Sequence, residues 1–216
     1  MESLAQTVWL TLGLIVAGGY LLGSIPFGLI ATRLGGAGDI RKIGSGNIGA
    51  TNVLRSGRKD LAAITLVGDA GKGAAAVLAA HLLTHGDPAA VALAGGAAFV
   101  GHLFPVWLKF NGGKGVATFY GVLLSAAFPV GALAGLTWLA AAFLFRISSL
   151  AALTAAALAP LFAFATDQPR PMVVLAAFMA ALIYLRHHEN IRRLLKGEEP
   201  RIGAGKAAAP PPTDIP

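Results

Sequence analysis

The chain has 216 residues, 56% of them hydrophobic and only 12% charged, with 28 Gly and no Cys. Soluble domains carry about 25% charged residues, so this chain cannot cover a water-facing surface, and its apolar content equally excludes a disordered chain. Seventeen Lys and Arg against ten Asp and Glu leave a formal charge of +7, scarce charge that a membrane protein gathers in cytoplasmic loops, where it also holds anionic substrates or lipid head groups.

A spanning helix needs about 20 apolar residues, and seven segments are candidates. The first runs from Val8 to Thr32. No Lys or Arg precedes Arg33, so it lacks the basic region of a cleaved signal peptide and reads as a retained helix. After it comes the loop Ile43 to Arg55, IGSGNIGATNVLR. Here Gly44, Gly46 and Gly49 permit positive φ, so that successive N–H groups can face one anion, while Ser45, Asn47, Thr51 and Asn52 offer neutral hydrogen bonds. Arg55 adds a bidentate clamp for phosphate. Such a loop is either a flexible polar connector or an anion cradle. Its spacing matches neither the Walker A nor the dinucleotide pattern, so no nucleotide is implied.

The second span, Leu61 to Leu83, contains Gly71-Lys72-Gly73 after Asp69. Ions at the bilayer centre cost about 2.5 to 3.5 kcal/mol each on insertion scales. Asp69 and Lys72, three apart on one helix, are therefore expected to pair, as a structural couple or at the edge of a site. The third span, Ala89 to Leu108, carries His102 near its inner end, where a helix-to-helix hydrogen bond and catalysis are both open. Next comes Phe110 to Thr118, in which Gly112, Gly113 and Gly115 fence Lys114. A lysine so flanked at a helix start approaches a phosphate closely, with the helix N-terminal amides adding to the field. The alternative is an ordinary interfacial lysine.

The fourth and fifth spans, Val116 to Phe128 and Gly131 to Phe145, are short and flank Pro129, so they form two helices or one broken unit. Ser148 to Thr166 and Met172 to Leu185 complete the set. Small residues at Gly18-Gly19, Gly95-Gly96 and around Ala155 predict close helix packing. Beyond the last span, His187, Asn190 and Leu194 share one helical face, and His188, Arg192 and Leu195 another. This segment is an amphipathic anchor or part of a site in which His acts near neutral pH. The five His have no metal-ligand spacing and no Cys to help them, so neither metal nor cofactor is expected. Residues 1–202 read as one membrane domain, and residues 203–216, rich in Ala and Pro, as a disordered tail.

With the N-terminus outside, fifteen of the seventeen basic residues fall in inner segments; Arg170 lies outside and Lys72 within a span. The positive-inside bias selects this orientation, and seven spans then put the C-terminus in the cytoplasm. The polar motifs gather on that inner side.

Together these segments resemble the bacterial membrane-integral glycerol-3-phosphate acyltransferase family that uses acyl-phosphate as donor. The likeness covers nearly the whole chain: GSIPFG at Gly23 to Gly28, GSGNIGATNVLR at Gly44 to Arg55, GDAGKG at Gly68 to Gly73, GHLFPVWLKFNGGKGVAT at Gly101 to Thr118, and RHHENIRRL at Arg186 to Leu194. His188 departs from it, since the family often carries Lys there. The resemblance implies an all-α polytopic membrane fold of about seven transmembrane helices with three cytoplasmic motifs around one site. It implies transfer of an acyl group from acyl-phosphate to the sn-1 hydroxyl of glycerol 3-phosphate in a bacterial plasma (inner) membrane. Ser45, Arg55, Lys114, His187 and Asn190 would be catalytic. Gly44, Gly46, Asn47, Thr51, Asn52, Gly112, Gly113 and Gly115 would bind substrate. The implied partners are glycerol 3-phosphate, acyl-phosphate, membrane lipid and the soluble acyl-phosphate synthase, with no nucleic acid.

The residues tell against the other main class of glycerophosphate acyltransferase, which uses His-x4-Asp: no His here has an Asp five places on. A phosphate leaving group makes a strong general acid unnecessary, so the demand is for charge stabilisation and positioning. A transporter of an organic phosphate is the alternative reading, but it calls for polar groups through the full depth of the membrane. A purely structural subunit would need no Gly-rich basic loops.

Overall fold

A computed structural model describes residues 2–203, and the regular structure among them is helical. Ten α-helices follow in order: α1 (Glu2–Gly23), α2 (Phe27–Leu34), α3 (Ala50–Leu54), α4 (Lys59–Leu83), α5 (Pro88–Leu103), α6 (Val116–Ala126), α7 (Phe128–Phe145), α8 (Ser148–Ala165), α9 (Arg170–Arg186) and α10 (His188–Leu195). The Ala/Pro-rich tail expected at 203–216 lies, apart from Gly203, outside the described residues.

All seven expected spans fall on helices, with two differences in detail. The first is broken at Ser24-Ile25-Pro26 into α1 and α2. A proline disfavours helical geometry in the residue before it and lacks an N–H, so the ladder stops and restarts. The second difference is that Pro129 lies inside α7 and not between the spans: of the two expected alternatives the structure has two helices, which meet at Ala127, and the proline occupies the first turn of α7, the one place a helix accepts it at no loss. Among the described residues, five segments are long and apolar enough to cross a membrane, and a sixth follows if α9 and α10, bent by 64° at His187, count as one. The sequence count of seven also includes α6, whose 11 residues reach only about 16 Å at 1.5 Å per residue.

Small residues let the helices touch backbone to backbone. A methyl group on Gly23 would strike the Ala98 carbonyl and one on Gly101 the Tyr20 carbonyl, which joins α1 to α5. Gly121 lies equally close to the Ala70 carbonyl, joining α4 to α6. Of the expected packing glycines, Gly19 meets Ala94 and Gly95 meets Val122 and Val77, whereas Gly18 faces open space. Ala155 is fully buried. The main core gathers Phe99, Leu103, Phe119, Leu123, Met179 and Ile183. A smaller cluster of Leu29, Ile40, Ile48, Val53 and Leu61 fastens the loop after α2 onto α4. Large exposed side chains such as Trp9, Leu82, Phe143 and Phe164 follow from a lipid-facing exterior.

Candidate active site

The first loop is organised by one side chain. Asn52, at 2% exposure, donates through Nδ2 to the carbonyls of Ile40, Ile43 and Asn47 at 3.1, 2.9 and 2.8 Å, and its Oδ1 accepts from the Ser45 N–H at 2.9 Å. The chain thus coils around a buried amide, which satisfies backbone groups that no helix claims. Gly44, at φ +57°, has to be glycine twice over, because a Cβ there would be strained and would collide with Asn52 Oδ1. This turn leaves Ser45, Thr51 and Arg55 exposed and Asn47 half-buried.

In the second loop, the Gly112 N–H donates to the Leu103 carbonyl at 3.0 Å and the Gly113 N–H to the His102 carbonyl at 3.2 Å, folding the chain back along the end of α5. Gly115 then caps α6 at φ +85°. Lys114, between them, is half-buried and donates to Asn190 Oδ1. Among the described residues it has no ion pair. Burial lowers its pKa from the usual lysine value, the positive charges of Arg193 and Arg55 push the same way, and Glu199 and Glu189 oppose them. A desolvated ammonium whose partner is a neutral amide oxygen keeps a charge that an anion can answer.

The third segment presents the face expected from the sequence: His187 and Asn190 are buried, at 3% and 7% exposure, while His188, Arg192 and Leu195 are exposed. His187 Nδ1 lies 2.8 Å from the Ile183 carbonyl. That carbonyl requires the proton on Nδ1, so Nε2 is left as an acceptor. Burial pushes the ring down to about 4, and it is neutral at physiological pH.

The three segments meet at a cavity of about 570 Å³. All five expected catalytic residues, Ser45, Arg55, Lys114, His187 and Asn190, line it, as do Asn47, Thr51, Asn52 and Gly115. Gly44, Gly46, Gly112 and Gly113 shape the loops behind the wall. The cavity lining also includes the cation Lys59 and the apolar Leu54, Leu66, Ala152 and Trp138.

Two residues escape a reading of the sequence. Glu199 is buried and accepts from Asn190 Nδ2, from Ser149 Oγ at 2.8 Å and from Arg193 Nε at 2.6 Å. Burial alone would raise its pKa, but these donors hold the carboxyl below the usual range. A carboxylate only accepts, so it turns the Asn190 amide with nitrogen toward itself and oxygen toward Lys114. In the sequence it is one of two acids beside the tail, and only the scarcity of acids sets it apart. Arg186 donates to the Gly112 carbonyl at 2.9 Å and the Gly113 carbonyl at 3.2 Å, and its guanidinium sits 5.5 Å from the Phe104 ring centroid. The third segment therefore holds the second.

A helical membrane protein whose polar loops meet at a cavity lined by cations and apolar side chains can hold an anionic group beside an apolar one, which suits an enzyme or a transporter of an organic phosphate alike; similarity to known proteins decides between them. The family model for glycerol-3-phosphate acyltransferase matches residues 13–197. A glycerol-3-phosphate acyltransferase of Caulobacter vibrioides (strain NA1000 / CB15N) is 75% identical over 218 residues, covering 100% of both chains. One of Rhodospirillum rubrum is 59% identical over 207 residues, 93% of this chain and 95% of the relative. The crystal structure of PlsY (YgiH), an integral membrane glycerol 3-phosphate acyltransferase, in its glycerol 3-phosphate form has a TM-score of 0.84 at 40% identity, covering 89% of this chain and 96% of that chain. Its lysophosphatidic acid form gives 0.81 at 38%, covering 89% and 95%. The chain belongs to the glycerol-3-phosphate acyltransferase family and is a membrane acyltransferase. Membership selects the enzyme reading over the transporter.

Proposed function

We propose that this acyltransferase takes its acyl group from acyl-phosphate and transfers it to the sn-1 hydroxyl of glycerol 3-phosphate, releasing 1-acyl-glycerol 3-phosphate and inorganic phosphate. The site works at the cytoplasmic face of a bacterial plasma membrane, with the N-terminus outside, and a soluble acyl-phosphate synthase supplies the donor. The observation that carries this reading is Lys114: a half-buried cation without an ion pair among the described residues, facing a cavity that also holds Arg55, His187 and Asn190.

The two substrates both bear phosphate and repel each other. Arg55, Lys114 and the Ser45 to Asn47 turn hold these anions, and Leu54, Leu66 and Trp138 receive the start of the acyl chain. The acceptor hydroxyl oxygen attacks the acyl carbonyl carbon and forms the ester C–O bond as the bond from that carbon to the phosphate oxygen breaks. The hydroxyl proton passes to an oxygen of the acyl-phosphate's own phosphate group, so that this phosphate departs protonated. Neutral His187, with Nε2 free to accept, orients the hydroxyl, and Asn190 fixes Lys114; a ring held at about 4 is a weak base at neutral pH. Asn52 acts on the substrates through the loop it ties together. Because the leaving group is already good, fixed charge and positioning supply the acceleration.

The test is purified enzyme with glycerol 3-phosphate and either acyl-phosphate or acyl-CoA, scored for lysophosphatidic acid. Turnover with acyl-phosphate alone is expected. Comparable rates with acyl-CoA would defeat the donor assignment.

A further inference from the structure

The floor of the cavity holds charged groups that the reaction above leaves unused. Asp69 of α4 and His102 of α5 both line it, at 2% and 4% exposure. Lys72, one turn after Asp69, donates to Asp69 Oδ1 at 2.8 Å and to the Ile25 carbonyl at 2.7 Å, and lies 5.9 Å from the Phe27 ring centroid. His102 Nδ1 stands 3.4 Å from the same Asp69 oxygen and has no hydrogen-bond partner. Ionisable side chains within spans are costly and belong at functional places.

Above His102 lies the loop that bears Lys114. A methyl group placed on Gly113 would fall on the His102 imidazole: its three nearest atoms are Nε2, Cε1 and Cδ2 of that ring. The Gly113 N–H also donates to the His102 carbonyl at 3.2 Å, while Arg186 holds the Gly112 and Gly113 carbonyls from the other side. The loop is thus pressed against the ring, and the next residue is Lys114. Asp69 is held in turn by Lys72, which is itself tied to the break between α1 and α2 through the Ile25 carbonyl.

We propose that His102 is a positioning residue whose ring, packed beside the Asp69–Lys72 pair, forms the seat for Gly113 and sets the height at which Lys114 enters the cavity. The inference rests on the phosphate-holding role of Lys114 given under Proposed function. It accounts for Gly113, where nothing larger fits over the ring, and gives the buried Asp69–Lys72 pair a task.

The neighbouring glycine supplies a control. A methyl on Gly112 would strike the His102 and Leu103 carbonyls and Pro105 Cδ, none of which a change of the His102 side chain removes. The experiment measures KM for glycerol 3-phosphate and kcat for Gly113→Ala, Gly112→Ala, His102→Ala and the two double variants. Gly113→Ala alone should raise KM by at least about tenfold. In the His102→Ala background it should add less than about twofold, because the atoms it would strike are gone, whereas Gly112→Ala should multiply the His102→Ala defect in full. If His102→Ala does not yield folded protein, His102→Ser opens the same space and is read identically. An equal Gly113→Ala penalty in both backgrounds would overturn the seat. The link to Lys114 is tested in Lys114→Gln, where Gly113→Ala should add nothing to KM; a full additional penalty there would overturn it. Lys114→Gln alone separately decides the phosphate-holding reading, so the two failures are distinguishable.

Discussion

Replacing Lys114 by Gln removes the cation and keeps a polar side chain. Losing a charged hydrogen bond costs about 1.5 to 3 kcal/mol. The structure places this lysine in about the upper two thirds of that range. It is half-buried, burial already lowers its pKa, and its partner is the neutral Asn190 oxygen, so a bound phosphate would meet a charge that no carboxylate among the described residues pairs with. A loss of about 2 to 3 kcal/mol, at 1.36 kcal/mol per decade, corresponds to a fall in kcat/KM of about 30- to 150-fold. Lys109 is the comparison. It sits five residues earlier on the same loop, exposed and away from the cavity, and Lys109→Gln should stay within about threefold of wild type. Both variants would be purified, matched for melting temperature and assayed with both substrates varied. Equal activities would reduce Lys114 to a helix anchor and remove the charge argument.

Glu199→Gln exchanges one acceptor oxygen for a donor facing Asn190, Ser149 or Arg193; with about 1 to 3 kcal/mol at stake it should lower the melting temperature and reduce kcat/KM by about tenfold, and an unchanged kcat/KM would free Asn190 from any need of Glu199. His187 titrates at about 4 when folded, against an ordinary 6.5, so the unfolded chain binds the extra proton between those values and stability falls as pH drops from about 6.5 to about 4. Melting temperatures across that window should decline in wild type and flatten in His187→Gln; parallel curves would refute the assignment. Because the chain has no Cys, single Ser56→Cys and Lys196→Cys variants can be labelled cleanly, and an impermeant thiol reagent on intact cells should reach neither before lysis. Labelling of either would overturn the assignment.

Much of this protein was legible without a fold, because the relevant signals are local. Length and apolarity mark the helices, since hydrocarbon leaves a backbone few other ways to satisfy its own hydrogen bonds. Gly44 and Gly46 announce positive φ, whereas Gly49, allowed the same freedom, is extended at φ −82°, and the spacing of His187 and Asn190 puts both on the buried side even though the helix breaks at His187. What the sequence could not convey is which polar groups meet. Lys114 and Asn190 are 76 residues apart, Ser149 and Glu199 50, and Arg186 reaches Gly113 across 73. Read alone, Glu199 is an acid beside a polar tail, His102 one histidine in a span, and Arg186 one more basic residue at an interface. The close approach of small-residue helices brings these groups into one low-dielectric place. There an unpaired donor or charge is costly, and geometry decides which neighbour answers it.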